Sequence, residues 1–119
     1  MSETNTLKRI MLGHNSRGRL FRNNQGIASY NNIKVRYGVA RGGSDLIGFT
    51  IIGGKAIFTA IEVKDEKWTF DPNDKREVQQ LNFINLVDDA GGIAGFVRSV
   101  GEYEKIIKDF IDKCRTNAL

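Results

Sequence analysis

The clearest alternation of apolar and polar positions lies in the middle of the chain. Asp45 to Ile52 and Lys55 to Lys64 are β-branched, Phe-containing runs divided by Gly53-Gly54. Glycine tolerates positive φ at both central positions of a two-residue turn, so the spacing predicts a β-hairpin. Upstream, Leu7, Ile10 and Met11 share one face of a short helix over residues 3 to 13, with Ser2 or Thr4 as its N-cap. Gly13 to Gly18 reads as a loop. Arg19-Leu20-Phe21-Arg22 and Lys34-Val35-Arg36-Tyr37 alternate weakly, as two strands on either side of a polar loop from Asn23 to Asn32. Downstream, Asp71-Pro72 offers an N-cap followed by proline. Val78, Leu81, Ile84 and Val87 then recur at helical spacing, and the helix runs to Ala90 before Gly91-Gly92 stops it. Ile93 to Val97 predicts a short strand, and Val100 to Cys114 a last amphipathic helix through Ile106, Ile107, Phe110 and Ile111. This order predicts an α/β fold, a mixed sheet flanked by helices.

The hairpin turn has a chemical consequence. If Ile52 faces Lys55, Asp45 falls directly opposite Glu62, and two carboxylates meet on one face. That pairing is repulsive unless a cation lies between them. The same face carries Ile47, Phe49 and Ile51 on one strand and Ala56, Phe58 and Ala60 on the other, so the acids end an apolar stripe that borders the core. Lys64, two residues after Glu62, points to the same side. An ammonium there could orient a water or offset charge developing on a phosphate. Taken alone, Glu-x-Lys on a strand is more often a same-face ion pair than a catalytic element; the register of Asp45 gives it weight. A one-residue slip would undo it. Mg²⁺ or Mn²⁺ held by Asp45, Glu62 and the Val63 carbonyl would suit phosphodiester hydrolysis. Gln80, in phase with Phe83, Ile84 and Val87, reaches this site or is a satisfied amide at a helix edge. His14 reads as a surface residue, and Trp68 as packing or, less often, a base-stacking platform.

Composition narrows the classes. At 119 residues and 40% hydrophobic content, the chain suits one compact domain over residues 1 to 119. No run is apolar enough to span a membrane, and the N-terminus lacks signal-peptide character, so a cytoplasmic protein is expected. Cys114 is alone and His14 is the one imidazole, which argues against structural zinc and favours a hard ion on oxygen ligands. The net charge is +4, but residues 1 to 41 hold eight Lys or Arg against the single acid Glu3. A basic half joined to an acid-containing half suits a polyanion partner plus a cation site, or merely a well-solvated surface.

Several segments, in this order, resemble the VRR-NUC domain of the PD-(D/E)xK nuclease superfamily in its short stand-alone, phage-type form. They are Arg22-Asn23-Asn24-x-Gly26, Gly43-Ser44-Asp45-Leu46-Ile47-Gly48, Ile61-Glu62-Val63-Lys64, Gln80-x-x-Phe83, and Gly91-Gly92-Ile93-Ala94-Gly95 followed by Arg98-Ser99, within residues 3 to 100. The resemblance implies a restriction-endonuclease-like fold, Mg²⁺ or Mn²⁺ dependence, and metal ligation at Asp45 and Glu62. Lys64 matches the catalytic lysine and Gln80 the glutamine that follows it. Glu3 is the candidate for an acid contributed by the first helix. The stretch Asp65 to Asp74 departs from the family by lacking Pro-Gly after the lysine. Such proteins are similar to Holliday junction resolvases and are thought to be homodimers acting on branched DNA, which for a phage protein means the bacterial cytoplasm. The expectation is therefore a metal-dependent DNA endonuclease with Arg22, Asn23, Arg36 and Arg41 on backbone phosphates. A non-catalytic DNA-binding or recombination accessory protein, or a flap- or end-acting nuclease with the same site, remains open. The apolar face of the last helix (Ile106, Phe110) fits a core face or a dimer seam equally.

Overall fold

A computed structural model describes residues 1–24, 26–38 and 42–117. The described residues form α1 (Glu3–His14), β1 (Gly18–Arg22), β2 (Gly26–Tyr30), β3 (Ile33–Tyr37), β4 (Leu46–Ile52), β5 (Lys55–Val63), α2 (Lys75–Asp89), β6 (Ile93–Val97) and α3 (Val100–Asn117). Ser2 caps α1, its hydroxyl accepting from the Asn5 amide. The expected central hairpin is β4–β5. Gly53 and Gly54 take φ of 59° and 78°, and Ile52 faces Lys55, the register anticipated from the two-residue turn.

The principal sheet is four-stranded and mixed, in the order β1-β4-β5-β6. β1–β4 and β4–β5 are antiparallel, whereas β5–β6 is parallel. A parallel pair needs a crossover, and α2 supplies it. Strand alternation divides the apolar residues between two faces. Leu20, Leu46, Ile61, Val63, Ile93 and Val97 pack with Leu7 and Ile10 of α1 and with Tyr103 and Ile107 of α3 in the larger core. Ala60 packs with Phe83 and Val87 of α2 in a smaller one. Ile106 and Phe110 lie against the larger core, so this part of α3 is a core face.

Four expectations change. The stretch from Asn23 to Asn32 is not all loop: it contains β2, which pairs antiparallel with β3 in a separate ribbon. The ribbon turns at Asn31 and Asn32, with φ of 51° and 66°, the left-handed conformation that asparagine tolerates better than most residues. The second helix starts at Lys75, because the Asp74 carboxylate caps the Arg76 and Glu77 amides; the Asp71 carboxylate instead accepts from the Asn73 amide in the preceding turn. The stripe of Ile47, Phe49, Ile51, Ala56, Phe58 and Ala60 is buried only near the acids, since α2 does not cover the turn end: Ile51 is 55% and Phe58 44% exposed. Finally, His14 is fully buried, closing α1 beneath the sheet.

Candidate functional site

Asp45 immediately precedes β4, and continuing the β4–β5 register places it opposite Glu62. The two residues are tied through each other's strands. The Asp45 amide donates to Glu62 Oε2 at 3.0 Å, and the Val63 amide donates to Asp45 Oδ2 at 3.0 Å. Asn23 braces this end of the sheet. Its side-chain amide donates to the Ser44 carbonyl at 3.1 Å, and its backbone amide donates to the Asp45 carbonyl at 2.8 Å. Glu62 is 4% exposed. Burial, followed by the charge of Asp45, pushes its carboxyl up to about 8, while Lys64 pulls the other way. Two acids thus share a poorly hydrated space in which one negative charge is disfavoured without a cation.

Lys64 continues the acid face of β5. Its ammonium donates to Gln80 Oε1 at 2.8 Å and stands 3.9 Å from Glu62 Oε1. Gln80 is itself buried, and its Nε2 donates to Glu62 Oε1 at 3.1 Å. One amide therefore fixes both the acid and the lysine, as its phase in α2 suggested. Trp68 and Phe96 add a wall, of which the sequence pattern singled out Trp68 but not Phe96. The Lys64 ammonium is 5.4 Å and 5.8 Å from their ring centres, within cation–π range. The indole N–H of Trp68 donates to Glu77 Oε1 at 2.9 Å, and its ring packs on Phe96 at 4.8 Å. The packing reading of Trp68 holds, and Phe96 could have been found from the parallel register, which sets it beside Glu62.

The acid pair floors a groove with two lobes. One, of about 990 Å³, is lined by Arg22, Asn23, Asn24, Gln79 and Gln80 among others. The other contains Glu3, Val63, Lys64 and Trp68. Arg22, Asp45, Glu62 and Arg76 border both. Glu3 is thus brought to the groove, although the described residues hold no cluster of three or more acidic, His or Cys side chains suited to a metal. The donor set at its floor is two carboxylates, which fits Mg²⁺: that ion commonly uses one or two carboxylates and fills its other positions with water and substrate phosphate. Val63 meets the acids through its backbone amide, which donates to Asp45, and its side chain is buried in the core. Arg36 lies on β3 with its side chain outside the description, and Arg41 lies outside the described residues. Arg76, exposed in the first turn of α2, was not anticipated, since periodicity marks inward positions and it faces the groove instead. No family model, curated protein or solved structure matches this chain.

Proposed function

We propose that this protein is a divalent-metal-dependent DNA endonuclease. The observation that carries this reading is the buried Asp45–Glu62 pair, cross-tied through the backbone and set beside a lysine that Gln80 holds in place. A structural ion pair would balance its charges. Here Glu62 is raised by burial and by a second acid despite Lys64, an arrangement that favours a further cation. Mg²⁺ or Mn²⁺ bound there supplies Lewis acidity and a more acidic water. The chain's own residues then divide the work. Asp45 and Glu62 fix where the cation binds, and Glu3, from α1, borders the same space. Lys64 donates hydrogen bonds to an attacking water or to a non-bridging phosphate oxygen, offsetting charge in the transition state. Gln80 keeps that ammonium aimed. Hydrolysis forms one phosphorus–oxygen bond to water and breaks one ester bond, the leaving oxygen taking a proton.

The acid-poor, basic stretch around Arg22 supports DNA as the polyanion, and the resemblance adds branched substrates and a paired, homodimeric arrangement. The test is incubation of a labelled four-way junction and its matching duplex with Mg²⁺ or Mn²⁺. Metal-dependent nicks are expected, reduced about 10²–10³-fold in Lys64→Ala. Retarded but uncut DNA with every metal would instead assign the protein to the DNA-binding accessory class.

A further inference from the structure

Arg76 and Arg22 line the groove that holds the carboxylate pair, one from each face of the sheet. Arg22 ends β1 opposite Leu46 and follows Leu20 by two residues, on the face toward α1. Arg76 stands in the first turn of α2, on the face that carries Glu62 and Gln80. Both border both lobes of the groove. Neither guanidinium forms an ion pair among the described residues, although Asp45, Glu62, Asp74 and Glu77 all line the same space. Arg76 is also misplaced by helix electrostatics, because a cation in a first turn opposes the partial positive charge of the helix N-terminus. Asp74 caps α2 through the Arg76 and Glu77 backbone amides, so the side chain of Arg76 has no part in holding the helix start. A guanidinium without a partner, kept against the dipole at the rim of a phosphodiester site, matches the planar, two-donor recognition of a phosphate.

We infer that Arg76 and Arg22 form a two-guanidinium phosphate grip that holds the DNA strand across the Asp45–Glu62 pair. The inference rests on the proposed reading of the groove as a nucleic-acid site, but binding without turnover tests it separately. Each guanidinium engaged with a phosphate releases about one counterion, which makes the salt dependence of affinity a direct count of contacts.

The experiment is fluorescence anisotropy of a labelled four-way junction in metal-free buffer over a salt series, with wild type, Arg76→Ala, Arg76→Lys and Arg22→Ala. Circular dichroism confirms the fold of each, and cleavage with Mn²⁺ is assayed in parallel. The slope of log affinity against log salt is expected to fall by about one in each alanine variant. Arg76→Lys keeps its charge and is expected to keep the wild-type slope while binding about tenfold more weakly, as a point charge replaces the fork. Folded Arg76→Ala with wild-type slope and affinity overturns the grip, as does a slope in Arg76→Lys reduced like that of Arg76→Ala. Arg76-dependent binding without cleavage by any variant leaves the grip standing and sinks the nuclease reading alone. Cleavage with an unaltered Arg76→Ala slope does the reverse.

Discussion

Glu62 couples stability to the site. Burial and Asp45 raise its carboxyl from 4.5 toward 8, so the native state holds a proton that the unfolded chain has already lost. Its contribution is therefore full below about pH 4.5 and is lost as pH rises through 8. Asp45→Asn removes the neighbouring charge and can keep the acceptor for the Val63 amide. Without metal near pH 8, its midpoint in thermal unfolding should equal or exceed that of wild type, while the stabilisation by added Mn²⁺ and the cleavage of DNA both disappear. A second variant isolates the support given to Lys64. Gln80→Ala should lower cleavage about 10–100-fold, with the metal-free affinity for DNA unchanged, read by single-turnover kinetics beside anisotropy. Much of this is legible in the chain itself, since Gly53-Gly54 fixes a register that puts Asp45 opposite Glu62. His14 is not, because what surrounds it, the Phe49 carbonyl and the Tyr103 hydroxyl, lies 35 and 89 residues away.

That histidine belongs to the scale of elements, where it joins α1, β4 and α3. The Phe49 carbonyl can only accept, so Nε2 carries the proton and donates to it at 3.0 Å; Nδ1 then accepts from the Tyr103 hydroxyl. Thr59 donates to the Ile57 carbonyl, which leaves Thr50 to donate to Thr59 at 2.6 Å. Every partner is used by neutral imidazole, and burial lowers His14 below its usual 6.5. The sign follows: its contribution is complete above pH 6.5 and is lost as pH falls toward the lowered value. His14→Phe should cost about 1–3 kcal/mol at pH 7 by orphaning Tyr103 and Phe49. The gap to wild type should narrow toward pH 5, measured by urea unfolding as a difference so that the opposite trend of Glu62 cancels. A tight seam joins Gly42 to α2. With φ at +75°, a Cβ there would stand 2.4 Å from the Gln79 carbonyl oxygen, beside the residue that orients Lys64. Gly42→Ala should cost about 1–3 kcal/mol in chemical unfolding and weaken cleavage as well. Elements built on burial are the readable ones. The β2 sequence, Gly-Ile-Ala-Ser-Tyr, announces no buried face, and its strand rests on pairing with β3 across the Asn31-Asn32 turn.

At the scale of the molecule, the ribbon of β2 and β3 borders the groove through Gly26 and Ile27 but, in its described residues, adds nothing to the interior. Ile27, Tyr30, Ile33 and Val35 are exposed, and none of its described residues enters either core. A lone two-stranded ribbon is marginal in water, so little global stability depends on it. Replacing residues 26–37 with a short Gly-Ser link should change the unfolding free energy by less than about 0.5 kcal/mol. The same change removes Lys34 and Arg36, and the salt slope of DNA binding should fall by about two if both meet phosphates. A large loss of stability would show instead that the ribbon is an integral layer of the fold.

The mutual tie between Asp45 and Glu62 also gives the chain a built-in reporter. The amide hydrogens of Asp45 and Val63 end on the two carboxylates that would hold an ion. Their exchange with deuterated solvent should therefore respond to ligation before any strand is cut. Occupancy of the floor of the groove becomes readable from two peptide groups, with no nucleic acid in the tube.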